Sequence, residues 1–278
     1  MVAFVLGLAL TWLAWRFETT RIEQTAEHEF AGLVTERVAA LRARVDAIEL
    51  ILRGGSAILA EVRGFPRSAW RDYGNGLRLP ERYPEIQGLF WVPLVGRPRS
   101  ADFERASRLD RFNPVRLWPP GTGGSVTLVN AAKPVDPLNT RLPGFDLSSD
   151  PAHRAAIDRT RESGRMAITA TVRMPGEHGR DPQSGFVMIV PVHTKAPSEG
   201  SHRALRGVVA GSIETTDLLR GVIGARVPEL GVQIIDVTDA AAKTLLYASD
   251  ERVGPDHGTA PARQAKDVNF LLGGRQWM

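Results

Sequence analysis

The sequence predicts an α+β protein: one long N-terminal helix, followed by a region in which short helices alternate with strands. Three observations predict it. Between Arg16 and Arg63 there is no proline, and apolar residues recur at helical spacing. Downstream, β-branched and aromatic runs of strand length are separated by turns rich in glycine and proline. The composition, 43% hydrophobic and 24% charged over 278 residues, is that of a chain with a core and room for one large domain or two small ones plus a helical arm.

The same composition excludes several classes. Net charge is +4, from 35 basic and 31 acidic residues, and only Lys133, Lys195, Lys243 and Lys266 are lysines. The arginines are scattered and no run of like charge forms, so nucleic acid is not an expected partner. Absence of cysteine removes thiolate metal sites, disulfide frameworks and cysteine nucleophiles.

The N-terminal stretch from Val2 to Trp15 is apolar apart from Thr11 and is closed by Arg16. A bilayer span takes about 20 such residues. A signal peptide would carry a basic start and small residues before a cleavage site, and neither is present. Trp12 and Trp15 suit a membrane interface. We therefore expect residues 1–15 to form a transmembrane anchor, shortened at its start, although Arg16 and Arg21 fall on the side assigned to the outside. An ordinary buried helix is the alternative.

Residues 16–63 read as a long amphipathic stalk. Phe30, Val34, Val38, Leu41, Val45, Ile48 and Leu52 alternate in spacing between three and four, which puts them on one stripe. Glu36, Arg37, Arg42, Arg44, Asp46 and Glu49 occupy the other face. The stripe can pack on the following domain, pair with a second copy, or do both at different heights.

Gly64-Phe65-Pro66 ends this helix, and Ser68 opens a short one through Tyr73. Ile86–Val95 reads as a strand, Ala101–Arg111 as a surface helix and Val126–Val129 as a short strand. Pro151–Gly164 is a helix capped by Ser149 or Asp150, with proline at its first position and Gly164 as its stop. Strands are expected at Met166–Arg173, Phe186–Val192 and Leu205–Thr215, then a helix at Asp217–Gly224. Val232–Val237 and Thr244–Tyr247 make a strand pair around a polar turn, and Val268–Trp277 holds another.

Motifs for catalysis are missing. His28, His153, His178, His193, His202 and His257 form no recognised metal-ligating pattern, and no nucleophile elbow occurs. Gly121-Thr122-Gly123-Gly124-Ser125 precedes a strand and lacks the lysine of a phosphate loop, so it reads as a turn. No cofactor and no enzymatic activity are expected. Asp146 is the distinctive residue, set between Phe145 and Leu147 just before a helix. Either it caps locally, or it turns inward, where a carboxylate needs donors to offset its desolvation.

Several segments together resemble a known family. They are Tyr83–Pro93 (YPEIQGLFWVP), Asp102-Phe103-Glu104 with Phe112, Gly144-Phe145-Asp146-Leu147, and Ala155-Ala156-Ile157 through Ser163-Gly164. Gly185–Met188, Pro191-Val192 and Gly274-Arg275-Gln276-Trp277 complete the set. In unbroken order from about Arg16 onward, the chain is similar to the CHASE (cyclases/histidine kinases associated sensory extracellular) domain. That resemblance implies a long N-terminal helix and two PAS-like α/β subdomains with antiparallel sheets, a membrane-distal one over 64–215 and a membrane-proximal one over 216–278. It implies a place between two membrane spans, with the bulk of the chain periplasmic or extracellular, and a histidine kinase or cyclic-nucleotide enzyme as output. Against plant cytokinin receptors, Asp146 falls on an aspartate that binds the ligand's ring. Ile168 falls on a leucine whose backbone meets the ligand, Val190 on a pocket-wall phenylalanine and Gly207 on a glycine beside the ligand. Ala204 stands where those receptors have a tyrosine, and the loop Pro175–Pro182 does not align. The expected protein is thus an extracytoplasmic small-molecule sensor of a membrane-bound receptor, of histidine kinase or diguanylate cyclase type, dimeric through its long helix. The alternative is an interaction module whose pocket is filled by its own side chains.

Overall fold

The computed structural model describes residues 2–61, 67–96, 101, 104–105, 116–119, 125–134, 142–174, 183–194, 204–223, 231–249 and 265–278. Helix α1 runs unbroken from Val2 to Glu61, so the expected anchor and stalk form one helix. Among the described residues no helix is long and apolar enough to cross a membrane. The helical stripe divides by height. Leu41, Val45, Ile48 and Leu52 are buried, whereas Phe30, Val34 and Val38 are only half-buried.

Further down α1, Gly54 and Gly55 have a packing reason. A Cβ on Gly54 would lie 2.7 Å from Tyr73 Oη, and one on Gly55 would lie 2.8 Å from Trp70 Cζ3. The bare patch admits the aromatic pair of helix α2 (Arg67–Gly76), and Tyr73 donates to the Ile51 carbonyl at 2.5 Å. A short helix α3 (Leu79–Arg82) leads to the first strand. At that corner Arg44 of α1 donates to both oxygens of the buried Glu85, at 2.6 and 3.1 Å, and its guanidinium lies over Tyr83.

Strands β1 (Ile86–Gly96), β2 (Ser125–Thr127), β3 (Ala131–Pro134), β4 (Ala167–Ile168), β5 (Val172–Met174), β6 (Gln183–His193) and β7 (Leu205–Glu214) form an antiparallel sheet. Its order is β2-β1-β7-β6-β4, with β3 also on β1 and β5 also on β6. Both faces are buried, and side chains alternate between them with the period of two that the pleat imposes. Leu89, Trp91, Phe186, Met188, Val190, Val209 and Ile213 face α1. Phe90, Val92, Val187, Ile189, Val208 and Ala210 face the other way. There they meet Ala156 and Ile157 of helix α4 (Pro151–Ser163).

Helix α4 has the boundaries its sequence announces. Asp150 caps it by accepting from His153 N at 3.0 Å, and Gly164 ends it in the left-handed region at φ 66°. The strand expected over Met166–Arg173 is instead split. Four steps from Ile168 to Val172 face only three from Met188 to Gly185 on β6, so the edge carries an extra residue. Thr169 Oγ1 fills the gap by accepting from Val187 N at 3.0 Å. The surface helix expected at Ala101–Arg111 falls mostly outside the described residues.

Helix α5 (Thr215–Ile223) leaves β7 with Glu214 accepting from Thr216 N and Asp217 N at 3.0 and 2.7 Å. A second antiparallel sheet follows, made of β8 (Gln233–Asp236), β9 (Thr244–Ala248), β10 (Phe270–Leu272) and β11 (Arg275–Trp277), in the order β10-β11-β8-β9. Its inward residues Ile234, Leu246, Phe270, Leu272 and Trp277 join the α1-facing core. Trp277 meets Phe186 of the larger sheet edge-on, with centroids 5.3 Å apart. The β10–β11 turn has positive φ at Gly273 and Gly274, 53° and 79°, and the Gly273 carbonyl accepts from Ile168 N at 2.9 Å. The fold class is therefore the one expected: a long helix backing two antiparallel sheets, with additional helices around them.

Candidate functional site

Asp146 sits beyond the β2 edge of the larger sheet. Its backbone bridges Leu128, its N–H donates to the Trp118 carbonyl at 2.9 Å, and the neighbouring Phe145 ring packs on Trp118 with centroids 4.6 Å apart. Asp146 is 5% exposed. One oxygen, Oδ1, accepts from Thr127 N (3.1 Å), Thr127 Oγ1 (3.3 Å), Ser148 N (3.1 Å) and Ser148 Oγ (2.7 Å). Among the described residues, Oδ2 receives no hydrogen bond.

This arrangement joins the local and the inward-facing readings that the sequence left open. Asp146 caps the 3-10 turn Leu147–Ser149 through Oδ1, while Asp150 caps α4. The Thr127 and Ser148 donors thus hold the carboxylate in a single orientation, and among the described residues none meets its other oxygen. A carboxylate oxygen held in this way bonds an N–H or O–H donor strongly, because the acceptor is charged and already oriented.

The other three expected site residues lie elsewhere. Strand alternation puts the side chains of Ile168 and Val190 in the core that faces α1, both fully buried, whereas Phe145 and Leu147 beside Asp146 pack with the opposite core. The main chain of Ile168 is also engaged, its N–H by Gly273 and its carbonyl by Arg159 Nη2 at 2.6 Å. Gly207 pairs with Pro93, and a Cβ there would lie 2.5 Å from the Val92 carbonyl oxygen and 2.9 Å from Trp91. Its lack of a side chain allows β1 and β7 to approach. The structure therefore does not gather these three side chains at Asp146.

Two residues that hold Asp146 were not singled out from the sequence. Ser148, two positions on, carries a readable signal, because serine near an aspartate commonly closes a local turn. Thr127 carries none, since its contact depends on the β2 segment meeting a loop 19 residues away.

The match to the CHASE domain covers residues 64–247, and the chain belongs to the CHASE family of extracellular sensory domains. No curated protein sequence matches it. Among solved structures it is similar to the ligand-binding domain of the Pseudomonas aeruginosa PAO1 amino acid chemoreceptor PctB in complex with L-Arg, at 12% identity and a TM-score of 0.45, with 86% of each chain covered. It is also similar to that domain in complex with L-Gln, at 12% identity and a TM-score of 0.40, covering 79% of this chain and 64% of the other.

Proposed function

We propose that this chain is the extracytoplasmic small-molecule-sensing part of a membrane-bound receptor of histidine kinase or diguanylate cyclase type, and that Asp146 Oδ2 is the acceptor its ligand meets. The observation that carries this is the asymmetry of the carboxylate, with four donors on Oδ1 and none among the described residues on Oδ2. Residues 64–215 form the ligand-binding subdomain and 216–278 the membrane-proximal one. Ile168, Val190 and Gly207 act through packing: Val190 and Gly207 fix the sheet, and Ile168 ties it to the β10–β11 turn. The half-buried stripe at Phe30, Val34 and Val38 supports pairing of two copies along α1, above the level where Leu41 enters the core. The apolar N-terminal stretch supports attachment to a membrane.

A ligand shifts such a dimer between two helix arrangements only by its difference in affinity for them. The test is a thermal-shift screen against adenine, amino acids and small organic acids. A true ligand at about 100 times its Kd stabilises the native state by about 2.7 kcal/mol. Asp146→Ala removes that shift while leaving the circular dichroism spectrum of the fold in place. A ligand whose shift is the same in wild type and Asp146→Ala refutes the site.

A further inference from the structure

Two arginines meet where the larger and smaller sheets are hooked together, and only one of them has a carboxylate. Arg159 of α4 donates from Nη2 to the Ile168 carbonyl on β4 at 2.6 Å. Its side chain lies along the open face of Gly274, where a Cβ would stand 3.3 Å from Nε and 3.4 Å from Cδ. The next residue, Arg275, has a side chain only 16% exposed and gives its Nε to Asp236. Asp236 is occupied on both oxygens, since Thr238 supplies two donors to the other one. Arg159 has no such partner. Among the described residues it forms no ion pair, and its Nε is buried without an acceptor. Asp158, next to it in the chain, is taken by Arg161 at 2.9 Å.

This arrangement is unfavourable as it stands. The Arg159 guanidinium is half-buried, and burial together with the nearby Arg275 charge pushes its pKa below the ordinary arginine value. Like charges brought together away from bulk water disfavour each other, and an anion within reach relieves both. The guanidinium suits that task, because its planar donors match the edge of a carboxylate or phosphate with two parallel hydrogen bonds. Among the described residues, the protein itself takes only the Nη2 donor of Arg159.

We infer that Arg159 and Arg275 form a binding site for a small oxyanion, a carboxylate or phosphate group, at the junction of α4 with the β10–β11 turn. The site lies at the β4 edge of the larger sheet, the end opposite β2 and Asp146. It goes beyond the sensing reading above and does not depend on it. An ion held there ties α4 to β11, and so one sheet to the other, in addition to the main-chain bond between Ile168 and Gly273.

The test uses the full chain and two probes, inorganic phosphate and acetate, titrated at constant ionic strength against potassium chloride. At least one probe raises the melting temperature saturably, and shifts the Nε–H resonances of Arg159 and Arg275 over the same concentration range. Arg159→Gln, which keeps a donor for the Ile168 carbonyl, weakens that probe by at least about tenfold. Folded Asp146→Ala binds it as wild type does, which separates this site from the proposed sensing site. The inference is overturned if neither probe exceeds chloride, if Arg159→Gln binds as wild type does, or if folded Asp146→Ala loses the response. The resonance shifts are read in the wild type, so they decide the question even where a variant fails to fold. A screened compound whose thermal shift depends on Asp146, with no effect of phosphate or acetate, would leave the sensing reading standing and remove only this site.

Discussion

Replacing Arg275 with leucine isolates a buried carboxylate in the smaller sheet. Asp236 is 3% exposed, and Arg275 Nε lies 2.5 Å from its Oδ2. Its Oδ1 accepts from Thr238 N at 3.0 Å and Thr238 Oγ1 at 2.6 Å. Burial pushes the Asp236 carboxyl up, but the Arg275 and Thr238 donors outweigh it and hold the group below the ordinary carboxylate range. A lowered folded pKa stabilises above the unfolded value and loses that contribution as pH falls through the folded value. In Arg275→Leu the burial remains while the countercharge is gone. Removing one partner of a buried pair costs about 3–5 kcal/mol. Some of this returns through Arg159, whose guanidinium is pushed down by burial and by the nearby Arg275. Urea unfolding followed by tryptophan fluorescence is a suitable assay, because the buried Trp277 pairs directly with Asp236. At neutral pH the variant should lose about 3 kcal/mol. The deficit should shrink as pH falls and the uncompensated carboxyl takes up a proton, and Asp236→Val added to Arg275→Leu should recover most of the loss. A deficit under about 1 kcal/mol, or one that does not change with pH, would refute the reasoning.

Three further outcomes follow from the packing. Gly207→Ala places a methyl 2.5 Å from the Val92 carbonyl oxygen and 2.7 Å from Pro93 Cα. It should cost about 1–3 kcal/mol by overpacking, and an unchanged melting temperature would contradict the structural role given to Gly207. Gly55→Ala gains up to about 1 kcal/mol of helix propensity, yet its methyl meets the Trp70 ring at 2.8 Å. Net destabilisation is expected, and a rise in melting temperature would show that α2 does not seat there. His153 should titrate below 6.5, because burial disfavours its imidazolium more than the Asp150 carboxylate, 2.8 Å from Nδ1, favours it. Since the unfolded chain takes up that proton first, this group makes stability fall as pH drops below the unfolded value. An NMR midpoint at or above 6.5 would reverse the sign.

What the sequence disclosed was mostly local. Asp150, Pro151 and Gly164 mark both ends of α4 within its own residues, and the stripe from Phe30 to Leu52 declares α1. Alternation in β6 and β7 was visible as apolar runs, but runs buried on both faces do not say which residue faces which way. Val190 and Ile168 entered the expected site through the family resemblance, and only the structure shows that their side chains pack in the core facing α1. The split at Thr169 depends on register with β6, and the glycine pair in α1 depends on Trp70 and Tyr73 arriving from α2. At the site, Asp146 stood out by its apolar neighbours and its family resemblance. The asymmetry between its two oxygens needed Thr127, which only tertiary structure supplies.

The turn at Gly273 and Gly274 gives the molecule a mechanical property. Its tip is hooked by a main-chain bond onto Ile168, while Trp277, three residues past the tip's second glycine, is wedged between Phe186 and Phe270. A tilt of β4 is therefore handed directly to the final strand, without passing through a soft linker. The two sheets are geared together at this tooth, and a side chain at Gly273 would strip it.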